Sequence, residues 1–172
     1  MSGSDALPGL ILAKLREQVE RTEHLLGLIP PDGIDWRPDL SGSSALRLSE
    51  VLGHLLDCLA GFCATLYTLD PQRLGHFTRL RERPVNHRCG VDEARERIRE
   101  YMEHIEEGFA PVTSDDLARR IPTVFVPEGE AVLTVLLGNL EHFINHKFQL
   151  FFYLKMLGVA VGTRDLYHRR GQ

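Results

Sequence analysis

The stretch Asn139–Gly158, NLEHFINHKFQLFFYLKMLG, decides how the rest of the chain reads. Leu136, Phe143, Leu150 and Leu154 recur at three- and four-residue multiples, which predicts a helix from about Thr134 to Leu157, with Gly158 as its C-terminal cap. His142 and His146 stand at i and i+4, one above the other on one face, so both rings can reach one point. A helix supplies two nitrogens to a metal ion in this way. At about 100° per residue, Thr134, Glu141, Asn145 and Lys155 gather on a solvent side well away from the pair. The pair shares its stripe with Val135, Asn139, Gln149 and Tyr153 and points toward the interior or the mouth of a helical bundle. Two imidazoles there cost free energy unless they are hydrogen-bonded or metal-bound. Paired histidines also occur on ordinary solvated helices, so spacing alone leaves both readings open.

Three further segments show helical spacing. The first runs from about Pro8 to Leu28, with Leu12, Leu15, Val19, Leu25 and Leu26 among charged residues, and stops at Pro30-Pro31. The second runs from about Ala45 to Leu69 and carries the stripe Leu48, Leu52, Leu55, Leu59, Phe62 and Leu66; Ser41, Ser43 and Ser44 before it are good helix caps. The third, about Val91 to Phe109, opens on Asp92-Glu93, which complement the helix dipole, and has sparse apolar residues: Ala94, Ile98, Tyr101, Met102, Ile105 and Phe109. It is expected to be the most exposed helix. Between residues 121 and 133 the period changes. Ile121–Val126, a Pro-Glu-Gly-Glu turn and Ala131–Leu133 read as a short hairpin or two extended arms. The expectation is an all-α single domain over residues 1–172, a four-helix bundle with a short β-like hairpin before the last helix and flexible termini at about 1–6 and 163–172.

Composition narrows the function. The chain has 172 residues, 20 Lys+Arg against 24 Asp+Glu, and is 43% hydrophobic and 26% charged, an ordinary globular balance. A net charge of −4 argues against a dedicated nucleic-acid binder. Arg73, Arg79, Arg81, Arg83 and Arg88 read as a solvated connector. Cys58, Cys63 and Cys89 form no C-x-x-C pair, and the first two lie in an apolar helical pattern, so buried free thiols are expected. The densest apolar stretch, residues 131–161, is interrupted by Glu141, His142, Asn145, His146, Lys147, Gln149 and Lys155, which excludes a simple membrane span. The start of the chain lacks a signal-peptide pattern, and a cytoplasmic location is the default.

Histidine stands out, with eight copies. His54 lies at the border of the second helix's apolar stripe beside Glu50 and Asp57. A neighbouring bundle helix could bring it to the same centre as His142 and His146, or it could simply be hydrogen-bonded to Asp57 or a helix carbonyl. His24, His76, His87, His104 and His168 read as surface or terminal residues.

Three features, in order, resemble the DinB/YfiT-like superfamily of four-helix-bundle metalloproteins. Trp36-Arg37-Pro38 before a serine cluster and a helix is similar to that family's W-x-P connector. His54 in Leu52-Gly53-His54-Leu55 matches the place of its first metal histidine. His142-x-x-x-His146-Lys147-Phe148-Gln149-Leu150, followed by Tyr153-Leu154-Lys155-Met156-Leu157-Gly158, resembles its H-x-x-x-H-R-G-Q-L and Y-L-x-x-L-G signature, with Lys147-Phe148 in place of Arg-Gly.

The resemblance implies helices running up, down, down, up and a triad of His54, His142 and His146 holding a divalent metal, nickel or zinc. It also implies a homodimer. The metal would activate water or a thiol, as in a hydrolase or a thiol-dependent transferase acting on a small molecule. Asp57, Glu50 and Gln149 are candidates to orient a ring or act as general base. The alternative is a metal- or ligand-binding homodimeric bundle without chemistry. Neither reading calls for nucleic acid or membrane.

Overall fold

The structure, a computed structural model, describes residues 6–39, 45–82, 88–123 and 126–168. In chain order its elements are α1 (Ala6–Leu26), α2 (Leu48–Leu69), a 3-10 segment (Gly75–Glu82), α3 (Val91–Phe109), α4 (Ser114–Ala118), β1 (Arg120–Ile121), β2 (Glu130–Ala131), α5 (Val132–Met156) and α6 (Thr163–Leu166). The fold is therefore all-α, with one small β excursion. The expected serine caps, Arg83, His87, the middle of the expected strand at Val124-Phe125 and the outermost parts of the expected flexible termini lie outside the described residues.

The core forms around α2, which packs against α3 on one side and α5 on the other; α1 lies against α3 and α5. That position explains why α2 buries more than its stripe. Leu48, Leu52, Leu55, Leu59, Phe62 and Leu66 are all buried, and so are Val51, Leu56, Cys58 and Cys63. Among the described residues α2 is the one helix long and apolar enough to cross a membrane, but 61% of its apolar window is buried inside the fold, as fits the core helix of a soluble protein. The six sparse apolar residues of α3 are all buried, and charged residues cover most of its outer face. Leu15 and Leu25 of α1, together with Phe143, Leu150 and Leu154 of α5, close the core.

The start of α2 differs from the expectation. The helix begins at Leu48, three residues late, and its first amides donate to the connector: Leu48 N–H to the Trp36 carbonyl at 2.8 Å and Ser49 N–H to the Ile34 carbonyl at 2.9 Å. Glu50 turns back to accept the Arg47 N–H at 2.6 Å. The Trp-containing connector, folded across the helix start, thus takes amides that a helix leaves without partners.

The hairpin is shorter than the sequence pattern suggests. Arg120 pairs with Ala131 and Ile121 with Glu130, and α5 begins immediately afterwards at Val132, so Val132 and Leu133 belong to the helix. Gly129, at φ +99°, makes the turn. At its other end α5 stops where expected. Gly158 adopts φ +80°, its N–H reaches the Lys155 carbonyl at 3.0 Å, and the Val159 N–H reaches the Leu154 carbonyl at 3.0 Å. This is a Schellman ending.

Beyond it, the stretch expected to be a loose tail is structured through His168. α6 lies on α1, where His24 Nε2 is 3.0 Å from Asp165 Oδ1 and the His24 and His168 rings stack at 4.0 Å. Finally, α2 and α5 approach closely at Gly61. A Cβ there would come within 2.8 Å of the Asn139 side-chain oxygen.

Candidate metal centre

α2 and α5 each contribute imidazoles to one region. The i, i+4 geometry of α5 brings His142 Nε2 to 2.8 Å from His146 Nε2, a hydrogen bond between the two rings. His54, from α2, stacks on His146 with centroids 4.9 Å apart and planes 18° from parallel. The three residues singled out in the sequence are therefore neighbours. His142 is exposed and His54 and His146 are half-buried, so the cluster is open to solvent rather than enclosed. Among the described residues, no three His, Cys, Asp or Glu side chains stand in a chelating arrangement. His54 meets His146 face to face, whereas ligation uses a nitrogen lone pair in the ring plane.

A chain of polar contacts continues along α5. His146 Nδ1 lies 2.9 Å from Gln149 Oε1, Gln149 Nε2 donates to Tyr153 Oη at 3.1 Å, and the Trp36 ring meets the Tyr153 ring edge-on. Gln149 and Tyr153 are thus satisfied polar groups behind the histidines. Asn139, the third polar residue of that stripe, points its amide at Thr65 on α2. Burial holds His146 below the usual imidazole range; the nearby His142 and His54 push the same way, against the Gln149 contact and the Asp57 carboxylate. The shift favours the neutral form of the ring.

Of the two acidic candidates, Glu50 spends an oxygen on the Arg47 amide at the helix start. Asp57, one turn beyond His54, is close enough for its charge to be felt at His146.

Lys147 falls in the line Phe143, Lys147, Leu150, Leu154, and it is buried, donating from Nζ to Gln18 Oε1 of α1 at 2.8 Å. Burial brings its ammonium down from 10.5 to about 8; Arg21 adds to this and Glu17 opposes it. Phe148, where the DinB/YfiT pattern has glycine, points outward and packs against Phe152, centroids 4.7 Å apart. The substitution therefore does not crowd the histidines.

The remaining described histidines have local partners. His76 meets Glu107 at 2.8 Å, His104 Nδ1 meets the Glu100 carbonyl at 2.8 Å, and His24 and His168 hold α6. Arg73 of the connector donates to the Glu107 carbonyl near the end of α3. The thiols are free and buried; burial pushes Cys58 and Cys63 up to about 12 and Cys89 up to about 11.

The fold is mostly helical, with a histidine cluster between two core helices. No family model matches the sequence, and no curated protein does. Among solved structures, the fold is similar to that of a DinB-like protein, YjoA, from Bacillus subtilis, with a TM-score of 0.64 and 17% identity over 87% of this chain and 92% of that one. The fold is DinB-like.

Proposed function

We propose that the chain is a divalent-metal-dependent enzyme in which His54, His142 and His146 hold the metal, acting as a hydrolase or a thiol-dependent transferase on a small molecule. The observation that supports this reading is that His146 contacts His142 on its own helix and His54 on the neighbouring one, with the Asp57 carboxylate close by. Imidazole donors suit nickel and zinc alike. Such a metal, when bound, lowers the pKa of water or a thiol enough to give a nucleophile near neutral pH. The protein's part is to keep His146 neutral by burial, to leave His142 open to solvent, and to place Asp57 nearby as the preferred proton acceptor. Gln149 is a group that orients a ring, and Glu50 is chiefly a helix cap.

The finer architecture belongs to the same proposal: a four-helix bundle running up, down, down, up, housed in the cytoplasm, where free thiols stay reduced. A homodimer is also proposed, on a specific observation. Phe148, Phe152 and Met156, one turn apart, leave an apolar strip exposed near the end of α5. If the bundle binds metal but leaves thiol, ester and amide substrates unchanged, it is a binding module instead.

The test is metal analysis of protein purified without a histidine tag, loaded with nickel or zinc and dialysed. About one equivalent per chain is expected, as for a single three-histidine site. The His142→Ala/His146→Ala double variant is expected to retain none. A near-zero stoichiometry, the same in both proteins, overturns the proposal.

A further inference from the structure

Gln149 and Tyr153 follow His146 by three and seven residues, so all three stand on one face of α5. The Gln149 amide is held at both ends, with Oε1 at 2.9 Å from His146 Nδ1 and Nε2 donating to Tyr153 Oη at 3.1 Å. In this orientation the amide presents its oxygen to the ring, and an oxygen only accepts, which calls for the ring proton of His146 on Nδ1. Tyr153 is itself buried, with its ring packed edge-on against Trp36 at 5.3 Å, which fixes the far end of the chain. A neutral imidazole protonated at Nδ1 has its lone pair on Nε2, and in His146 that nitrogen lies 2.8 Å from His142 Nε2. Two bare lone pairs repel at such a distance, so the proton between the rings belongs to His142.

We infer that Gln149, braced by Tyr153, is a positioning residue that fixes His146 in its Nδ1–H tautomer and leaves His142 to carry the proton between the two rings. The use of this arrangement rests on the metal-binding reading above, but the tautomer is a property of the metal-free chain. It makes the two α5 histidines unequal. His146 has its Nε2 lone pair ready. His142 has to give up its Nε2 proton, to solvent or to its own Nδ1, before that nitrogen can bind a cation. Exposure suits His142 to this exchange, and burial suits His146 to hold still.

The experiment is a long-range nitrogen–proton correlation spectrum of metal-free protein, 15N-labelled at histidine, at mildly alkaline pH. Expected are a protonated Nδ1 and a bare Nε2 for His146, with His142 protonated at Nε2. Gln149→Ala is expected to move His146 toward the Nε2–H form that free imidazole favours. Gln149→Glu, whose carboxylate also only accepts, is expected to restore Nδ1–H. His146 found as Nε2–H in the unaltered chain, or unmoved by Gln149→Ala, overturns the inference. If Gln149→Ala does not fold, the unaltered chain and Gln149→Glu still decide it.

Titration with zinc or nickel ions separates this inference from the proposed function. Gln149→Ala is expected to weaken binding roughly 10- to 100-fold, as loss of a ligand-orienting partner does. A chain with the expected tautomers that retains no metal keeps the positioning role and overturns the metal reading. A chain that binds metal with the opposite tautomers does the reverse.

Discussion

Lys147 shares a helical turn with His146 yet faces α1, and its burial makes a measurable demand on the fold. Its ammonium sits at about 8 in the folded chain against 10.5 as a free side chain. Between those values the unfolded chain holds the proton more tightly, so this group's contribution to stability rises with pH across that window; below about 8 its full penalty is present. Lys147→Met removes the charge at similar length. Urea unfolding at pH 7 and again near pH 10 is expected to show the parent gaining on the variant by roughly 1–3 kcal/mol. Parallel behaviour of the two proteins across that range excludes a buried, depressed ammonium. The position was readable from the sequence, since Lys147 stands in line with Phe143, Leu150 and Leu154. Its partner Gln18 was not, because nothing local says which face of α1 lies opposite.

Helices whose ends are set by their own residues match the sequence reading, and those set by distant residues do not. α3 runs from Val91 to Phe109 as its spacing predicts. α5 ends beside Gly158, whose φ of +80° suits a residue without a side chain. Gly158→Ala is expected to cost about 1–2 kcal/mol, the penalty of a side chain in the left-handed region. Denaturant unfolding measures it, and an unchanged midpoint with an unchanged slope shows that the Schellman ending is not under load. α2 is the contrary case. Its start depends on carbonyls of Ile34 and Trp36, more than ten residues upstream, where a serine cap was the local expectation. The candidate site divides along the same line. The α5 pair follows from spacing alone, whereas His54 joins it because α2 happens to be the helix packed beside α5.

For the molecule as a whole, the clearest departure from an ordinary surface is the apolar strip on α5. Phe151 and Leu154 are core, but Phe148 and Phe152 are 46% and 47% exposed, pack on each other, and are followed one turn later by the exposed Met156. Exposed aromatic surface of this kind is the basis of the proposed homodimer face. Phe152→Glu introduces a charge that two facing copies cannot bury. Sedimentation over a dilution series is expected to show a concentration-dependent dimer for the parent and a monomer for Phe152→Glu; a strict monomer for both removes the association face. The spacing of Phe148, Phe151 and Phe152 does not by itself say which of these rings turn outward. The division needs the rotation of α5 about its axis, which α1 and α2 set jointly.

The close approach of α2 and α5 at Gly61 has a consequence for selectivity. Two donors on one rigid helix have a nearly fixed bite. In the proposed metal site, adjustment to the radius of a cation falls on the third imidazole, carried by the other helix. A side chain at Gly61 would meet Asn139 within 2.8 Å and press the two helices apart, so in that proposal the bare glycine is what lets His54 stand near the α5 pair.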